Sequence, residues 1–392
     1  MRHPFFSTFL ISTVTCAVLT ACGGGGSNDP VADTSATKDK ATEQATVTNN
    51  AVVGASAIST DSTKLVYDMI ADAGDTWQVT LDRIANTFAL KVVSTAYGLS
   101  DTNGSIVAGT TSGTRTPYTL KTAQGTEIGN LITDTSTRSV SGNLTVGTLK
   151  TSVSGSADKA TALSKLAGTY NFVRFGRDVG SGLGSPDTGA GQALVSADGT
   201  TMKLCLESTV GSDGQCKELT GTGTPETAEL KLTLDTNGRL VMTKDGAAFG
   251  LATLLPSDFG KALQMDMYRK NEENVWRTGV FYFAETKALS ETAVNGQWTC
   301  AGLGADANTI SIAGTAGTAK NLVNGQSMTA VFKYNQVYDQ ANNFVAVNGF
   351  MSGGATSDAL KDYDLFLPLS SSLLINEMSA DTRIRVCRKT GS

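Results

Sequence analysis

Glu229-Leu230-Lys231-Leu232-Thr233-Leu234-Asp235-Thr236-Asn237-Gly238-Arg239-Leu240-Val241-Met242 is the stretch that decides the fold. Three leucines alternate with polar residues, so one face is apolar and the other wet. That period of two marks a half-buried strand. Asp235 to Gly238 then turns the chain back into Leu240 and Met242, and Asn-Gly suits a two-residue hairpin in which both turn positions need positive φ. The same pattern recurs on either side. Trp77, Val79 and Leu81 share a face, as do Phe88, Leu90 and Val92, with Asp82 to Asn86 connecting them. Leu263, Met265 and Met267 alternate with polar residues, and Val275 to Ala284 follows after the turn at 270–274. Further strands fit 328–334, 344–351, 365–368 and 384–387. Turn signals return about every ten residues, the spacing of sandwiches and barrels. The expected fold is all-β, with antiparallel sandwich- or barrel-like domains.

Two short helices are expected at the joints. Ser156 caps the first and Gly168 ends it, with Ala162, Leu163 and Leu166 facing inward. A similar piece spans 285–296. The two align loosely, and each leads into a strand that opens on glycine and an aromatic residue. Gly168-Thr169-Tyr170 and Gly296-Gln297-Trp298 resemble the Gly-x-Trp that opens the barrel in lipocalins. The resemblance implies a ring plugging a barrel floor and an apolar ligand above it. The same residues read first as an aromatic residue packing the first strand of any β-domain, since a three-residue string recurs by chance in many proteins.

The chain begins with Arg2 and His3, then an apolar stretch diluted by Ser7, Thr8, Ser12, Thr13 and Thr15 and closed by small residues before Cys22. It is too short and too polar for a spanning helix, which needs about 20 apolar residues, and it reads as a signal peptide over residues 1–21. Leu19-Thr20-Ala21-Cys22 resembles the lipobox of bacterial lipoproteins. The resemblance implies cleavage before Cys22 and a membrane anchor made by acyl chains on it, stable when two or more are attached. Gly23 in place of aspartate implies the outer membrane of a Gram-negative cell. Cys22 to Ser27 resembles the glycine-rich tether of proteobacterial lipoproteins, some of them displayed at the cell surface. Residues 23–56 lack aromatic residues and apolar periodicity. They read as a disordered tether reaching roughly 30 Å.

Beyond the tether lie a β-domain over 57–157 and a larger β-region over 158–392 that divides near 287. The full chain carries 31 Lys and Arg against 36 Asp and Glu, and loss of Arg2 with the leader leaves 30 against 36, a net charge of −6. No basic cluster appears, which argues against a nucleic-acid partner. Four cysteines remain besides Cys22, namely Cys205, Cys216, Cys300 and Cys387. In an oxidising compartment an even number reads as disulfides. Of the three pairings, Cys205 with Cys216 and Cys300 with Cys387 are favoured. They contribute roughly 2 to 3 and 4 to 5 kcal/mol by loop entropy.

His3 is the sole histidine and departs with the leader. Triad hydrolases and most zinc, copper and non-haem iron sites need an imidazole. No catalytic residue, cofactor or metal ligand is therefore expected. Ser62 to Lys64 and Ser164-Lys165 do not fit the Ser-x-x-Lys spacing of lysine-based hydrolases. Carboxylate pairs remain, with Asp266, Glu272, Glu273 and Glu285 as candidates for glycosidic cleavage. Asp101-Thr102-Asn103-Gly104 and Asp235 to Gly238 read as turns, not calcium loops. Val179 to Gln192 reads as a long mobile loop suited to partner contact. The leading functional expectation is a non-catalytic, membrane-anchored envelope lipoprotein that binds an unidentified protein or glycan, or serves an assembly. A calycin-like carrier of a small apolar ligand is the alternative, and a carboxylate glycosidase the third.

Overall fold

Alternating strands with one apolar face bury that face by curling into a closed cylinder, and this chain does so three times. The computed structural model describes residues 56–57, 63–179, 186–218, 224–270, 275–338, 344–355, 363–378 and 383–391. The described chain forms three closed barrels of eight antiparallel strands, each strand hydrogen-bonded to the next in chain order. The first runs from Lys64–Ala71 to Leu149–Ser156, the second from Gly168–Asp178 to Trp276–Glu285, and the third from Gly296–Gly302 to Arg383–Gly391. In each the last strand pairs with the first and closes the wall. An eight-stranded barrel is just wide enough for its own side chains to fill. Tyr67, Trp77 and Leu120 fill the first, Tyr170, Phe172 and Phe283 the second, and Trp298, Phe332 and Phe366 the third.

The leucine stretch forms strands Glu226–Leu234 and Leu240–Lys244 of the second barrel, in register Leu234 with Leu240. Its turn differs from the expected two-residue form. Gly238 alone takes a positive φ, +73°. The Asp235 carboxylate accepts the N–H groups of Asn237 and Arg239, each at 2.8 Å. The carboxylate closes a longer loop with glycine at its left-handed position, the next commonest hairpin geometry.

The joints also differ from expectation. Ser156 ends a strand and does not cap a helix, and the helix shrinks to one 3-10 turn, Leu163–Leu166, with no side-chain cap. No helix forms over 285–296. Ser152, Ser154 and Ser156 look like loop and cap residues because they are small and polar, yet they lie buried on a strand whose outer face meets the second barrel. What survives is the glycine-aromatic opening. Tyr170 donates its hydroxyl to the Leu166 carbonyl at 2.6 Å, and Trp298 donates Nε1–H to the Val294 carbonyl at 2.9 Å. Each ring thus ties the first strand of its barrel to the carbonyl four residues back.

Two further expected loops are strands. Of the expected loop 179–192, the part from Asp187 onward is strand, Asp187–Val195, and 180–185 lie outside the described residues. Asn103-Gly104 sits within strand Thr102–Ala108. A Cβ at Gly104 would stand 2.0 Å from the Lys121 carbonyl and 2.9 Å from the Phe88 ring. Glycine here serves a close approach, not a turn.

The barrels pack on one another. Val173, Phe175, Val280 and Tyr282 on the outer wall of the second meet Leu367, Ile375 and Val386 of the third. Strand Trp276–Glu285 is consequently buried on both faces, and its run Val280-Phe281-Tyr282-Phe283-Ala284 is continuously apolar rather than alternating. The first barrel meets the second through polar groups. Arg239 grips Asp68 with Nε at 3.1 Å and Nη2 at 2.7 Å, both residues buried. Ser154 and Gln264 exchange two hydrogen bonds, at 2.6 and 2.7 Å.

Candidate functional site

Residues 1–55, on which the expected leader, Cys22 and nearly all of the expected tether fall, lie outside the described residues, as do Glu272 and Glu273. Ser56–Ala57 pair with Asp158–Lys159 and so fasten the chain ahead of the first barrel to the first joint. Cys205 is bonded to Cys216, joining a barrel strand to a small hairpin, Ser208–Val210 with Cys216–Glu218. Cys300 is bonded to Cys387, and the two face each other in register across the seam where the third barrel closes.

The two candidate acids among the described residues, Asp266 and Glu285, are not brought together. Asp266 is buried under the first barrel, where it accepts Thr76 Oγ1–H at 2.6 Å and the Leu251 N–H at 2.5 Å. Burial pushes its carboxyl up to about 6. Glu285 ends its strand elsewhere, between Lys261 at 3.1 Å and Lys287 at 2.8 Å. Burial alone would raise it, but hydrogen bonds from the two lysines outweigh burial and hold it below its ordinary value. Glu285 lines a cleft of about 370 Å³ between the second and third barrels, with Asp258, Phe259, Leu289 and Pro368. Asp258 accepts the Ser371 N–H at 2.7 Å. An ionised, paired Glu285 can hold a cation or receive a donor. It is not the protonated acid that glycosidic cleavage requires.

A second cleft of about 380 Å³ lies between the first and third barrels, lined by Asn130, Asn143 and Asp306 among others. Asn143 donates to Asp306 at 3.1 Å, and Arg388 pairs with the same carboxylate at 2.8 Å. Both clefts are open surface features outside the barrel interiors. Among the described residues no group of three or more His, Cys, Asp or Glu is placed to hold a metal.

Nothing in the spacing of residues signals the turn Asp72 to Thr76, which wedges between all three barrels. Asp72 accepts from Thr151 Oγ1 at 2.5 Å in its own barrel and from the Leu303 N–H of the third at 2.9 Å. Thr278 of the second donates to the Ala73 carbonyl at 2.9 Å. A second unforeseen feature lies at one end of the third barrel. Leu303 on one connection, Leu322 and Val323 on the next, and Met328 beside them are 41, 43, 87 and 44% exposed. The up-and-down order puts these connections at the same end, and the Leu322 N–H reaches the Ala307 carbonyl at 2.9 Å.

No family model matches the chain, and no curated protein matches it. Among solved structures it is similar to a double mutant of the vaccine antigen transferrin binding protein B from Haemophilus parasuis, at 12% identity over 81% of this chain and 66% of that one, with a TM-score of 0.23. A DUF3598-family protein of unknown function from Nostoc punctiforme matches at 11% identity over 57% and 96%, with a TM-score of 0.21. Intact Ap-TbpB, with its N and C lobes, matches at 10% identity over 81% and 67%, with a TM-score of 0.18. The chain thus spans just under two thirds of the first of these. Scores this low carry no inference about family or function, and the barrel architecture stands on the strand pairings above.

Proposed function

We propose that the chain is a lipoprotein of the bacterial outer membrane, anchored by acyl chains on Cys22, whose barrels form a non-catalytic module for binding a protein or glycan partner. The observation that carries this reading is the filling of the barrels. A carrier of apolar ligands needs an interior cavity of about 300 Å³ or more, whereas here aromatic and aliphatic side chains meet across each axis. Contact is then made from outside, and the exposed apolar end of the third barrel, around Val323, is the surface suited to it. In this reading each barrel is a domain, with joints over 157–167 and 286–295. The lipobox resemblance and Gly23 support the address, and the absence of histidine from the mature chain supports a non-catalytic role.

Intact cells provide the test. Mass spectrometry of the mature amino terminus should find an acylated Cys22. A photo-crosslinking residue at Val323 should capture one envelope component that the same residue at Ile84, exposed on the first barrel, does not. An unmodified first residue removes the anchor, and identical capture at both positions, or none, removes the binding surface.

A further inference from the structure

The second barrel carries an unusual group at one mouth. Leu263, Met265 and Met267 face its core from one strand, and Phe281 and Phe283 from the next. By the same alternation Arg269 and Arg277 face inward, and the register sets them directly opposite each other. Arg174 lies two residues beyond Phe172 on the same inner face. Like charges directly opposed across a strand pair are destabilising. Three arginines here crown an apolar core.

Among the described residues, two of them have carboxylate partners and the third has none in ion-pair contact. Asp187 takes Arg174 Nη1 and Arg277 Nη2 on its two oxygens, and Asp178 takes Arg277 Nη1 at 2.9 Å. Arg269 instead lies over the Phe249 ring, 5.3 Å from its centre, and its Nε is buried with no hydrogen-bond partner among the described residues. Among the described residues, Asp187 and Glu226 are the acids whose fields act most on it. Burial lowers the Arg269 pKa, and the repulsion of Arg174 and Arg277 adds to that more than Asp187 and Glu226 relieve. Among the described residues, the two arginines therefore act on Arg269 more strongly than the two acids. Two glycines make room for the group. A Cβ at Gly189 would meet the Arg174 guanidinium at 3.0 Å, and one at Gly176 would meet Asp187 at 2.9 Å and Arg277 at 3.4 Å. The Asp187 side chain is 40% exposed, so the group opens to water.

We propose that this mouth binds an oxyanion of the phosphate or carboxylate class, held by Arg269 with Arg174 and Arg277. The planar guanidinium fork matches both anions bidentately. A free anion and the head group of an amphiphile present the same chemistry, and they differ in whether an apolar chain lying outside the filled core adds to the binding.

Calorimetric titration of the full chain with inorganic phosphate, and in parallel with hexyl phosphate, tests this. Saturable binding of phosphate at one site is expected, weakened at least tenfold in Arg269→Met. Hexyl phosphate binding tenfold or more tightly than phosphate assigns the site to an amphiphile, and equal binding assigns it to the free anion. The melting temperature of Arg269→Met separates ligand recognition from a structural role. Removing an unmatched cation held for a ligand leaves the fold as stable or raises its Tm, whereas removing a structural arginine lowers it. Absence of saturable binding by both probes, equal binding by the variant, or a lowered Tm with binding intact overturns the proposal.

Discussion

Glu377 shows how one side chain couples two barrels to pH. It lies on the third barrel, 7% exposed, and accepts Thr188 Oγ1–H of the second at 2.5 Å. Burial pushes its carboxyl from 4.5 up to about 7, with the field of Asp364 adding to the rise and the Thr188 hydrogen bond and Arg174 opposing it. A folded pKa above the unfolded one means that the folded state holds the extra proton. The stability this group confers is thus present below pH 4.5 and lost as pH climbs toward 7. The full swing is on the order of 3 kcal/mol. Glu377→Gln retains an oxygen for Thr188 and removes the titration. Urea unfolding at pH 5 and pH 7.5 should show a smaller difference between the two pH values in the variant than in the parent. Equal differences would assign the titration to other groups, such as Asp158 and Asp266. At this scale the sequence revealed what depends on residue type and spacing alone: the cysteines and their pairing. It hid Glu377 and the three arginines, because their roles come from cross-strand and inter-barrel neighbours that spacing along the chain does not encode.

Strands were legible where one face stays wet, because alternation then survives in the sequence. Leu230, Leu232 and Leu234 inside against Glu229, Lys231 and Thr233 outside are such a case. Legibility failed where the outer face of a strand is covered by another barrel. Ser156 then looks like a helix cap, and the helix expected from it to Gly168 is only the turn Leu163–Leu166. The glycine-aromatic pair was readable as an opening motif, and its glycine has a stated physical task. Gly296 has φ +136°, and a Cβ there would meet Lys389 Cε at 2.4 Å and the Gly391 carbonyl at 2.7 Å across the closing seam. Gly296→Ala should therefore destabilise by about 1–3 kcal/mol. Gly325→Ala, at φ +73° with nothing within 4 Å, should cost only the backbone term, near the low end of that range. Denaturant titration of both variants checks the contrast. Equal losses would mean that strand closure at Gly296 tolerates a side chain.

For the whole molecule the question is whether three barrels behave as three domains or as one body. Domains joined by small polar interfaces move independently, and large apolar ones lock. The second barrel has both kinds, an apolar wall against the third and a polar contact with the first. The Asp72 to Thr76 turn decides between them, because it touches all three. Gly74 sits so close to Thr278 that a Cβ there would lie 2.3 Å from its Oγ1. Thr278 itself is fully buried on the outer wall of the second barrel. Enlarging it leaves both barrel interiors intact but has no room at the contact, and overpacking of this sort typically costs about 1–3 kcal/mol. The parent should melt in a single calorimetric transition. Thr278→Leu should release the first barrel as a separate transition at lower temperature, while the second and third remain coupled through their apolar wall. Separate transitions already present in the parent would show that the wedge does not couple the barrels, and a single unsplit transition in the variant would show that the coupling runs through Arg239 and Asp68 instead.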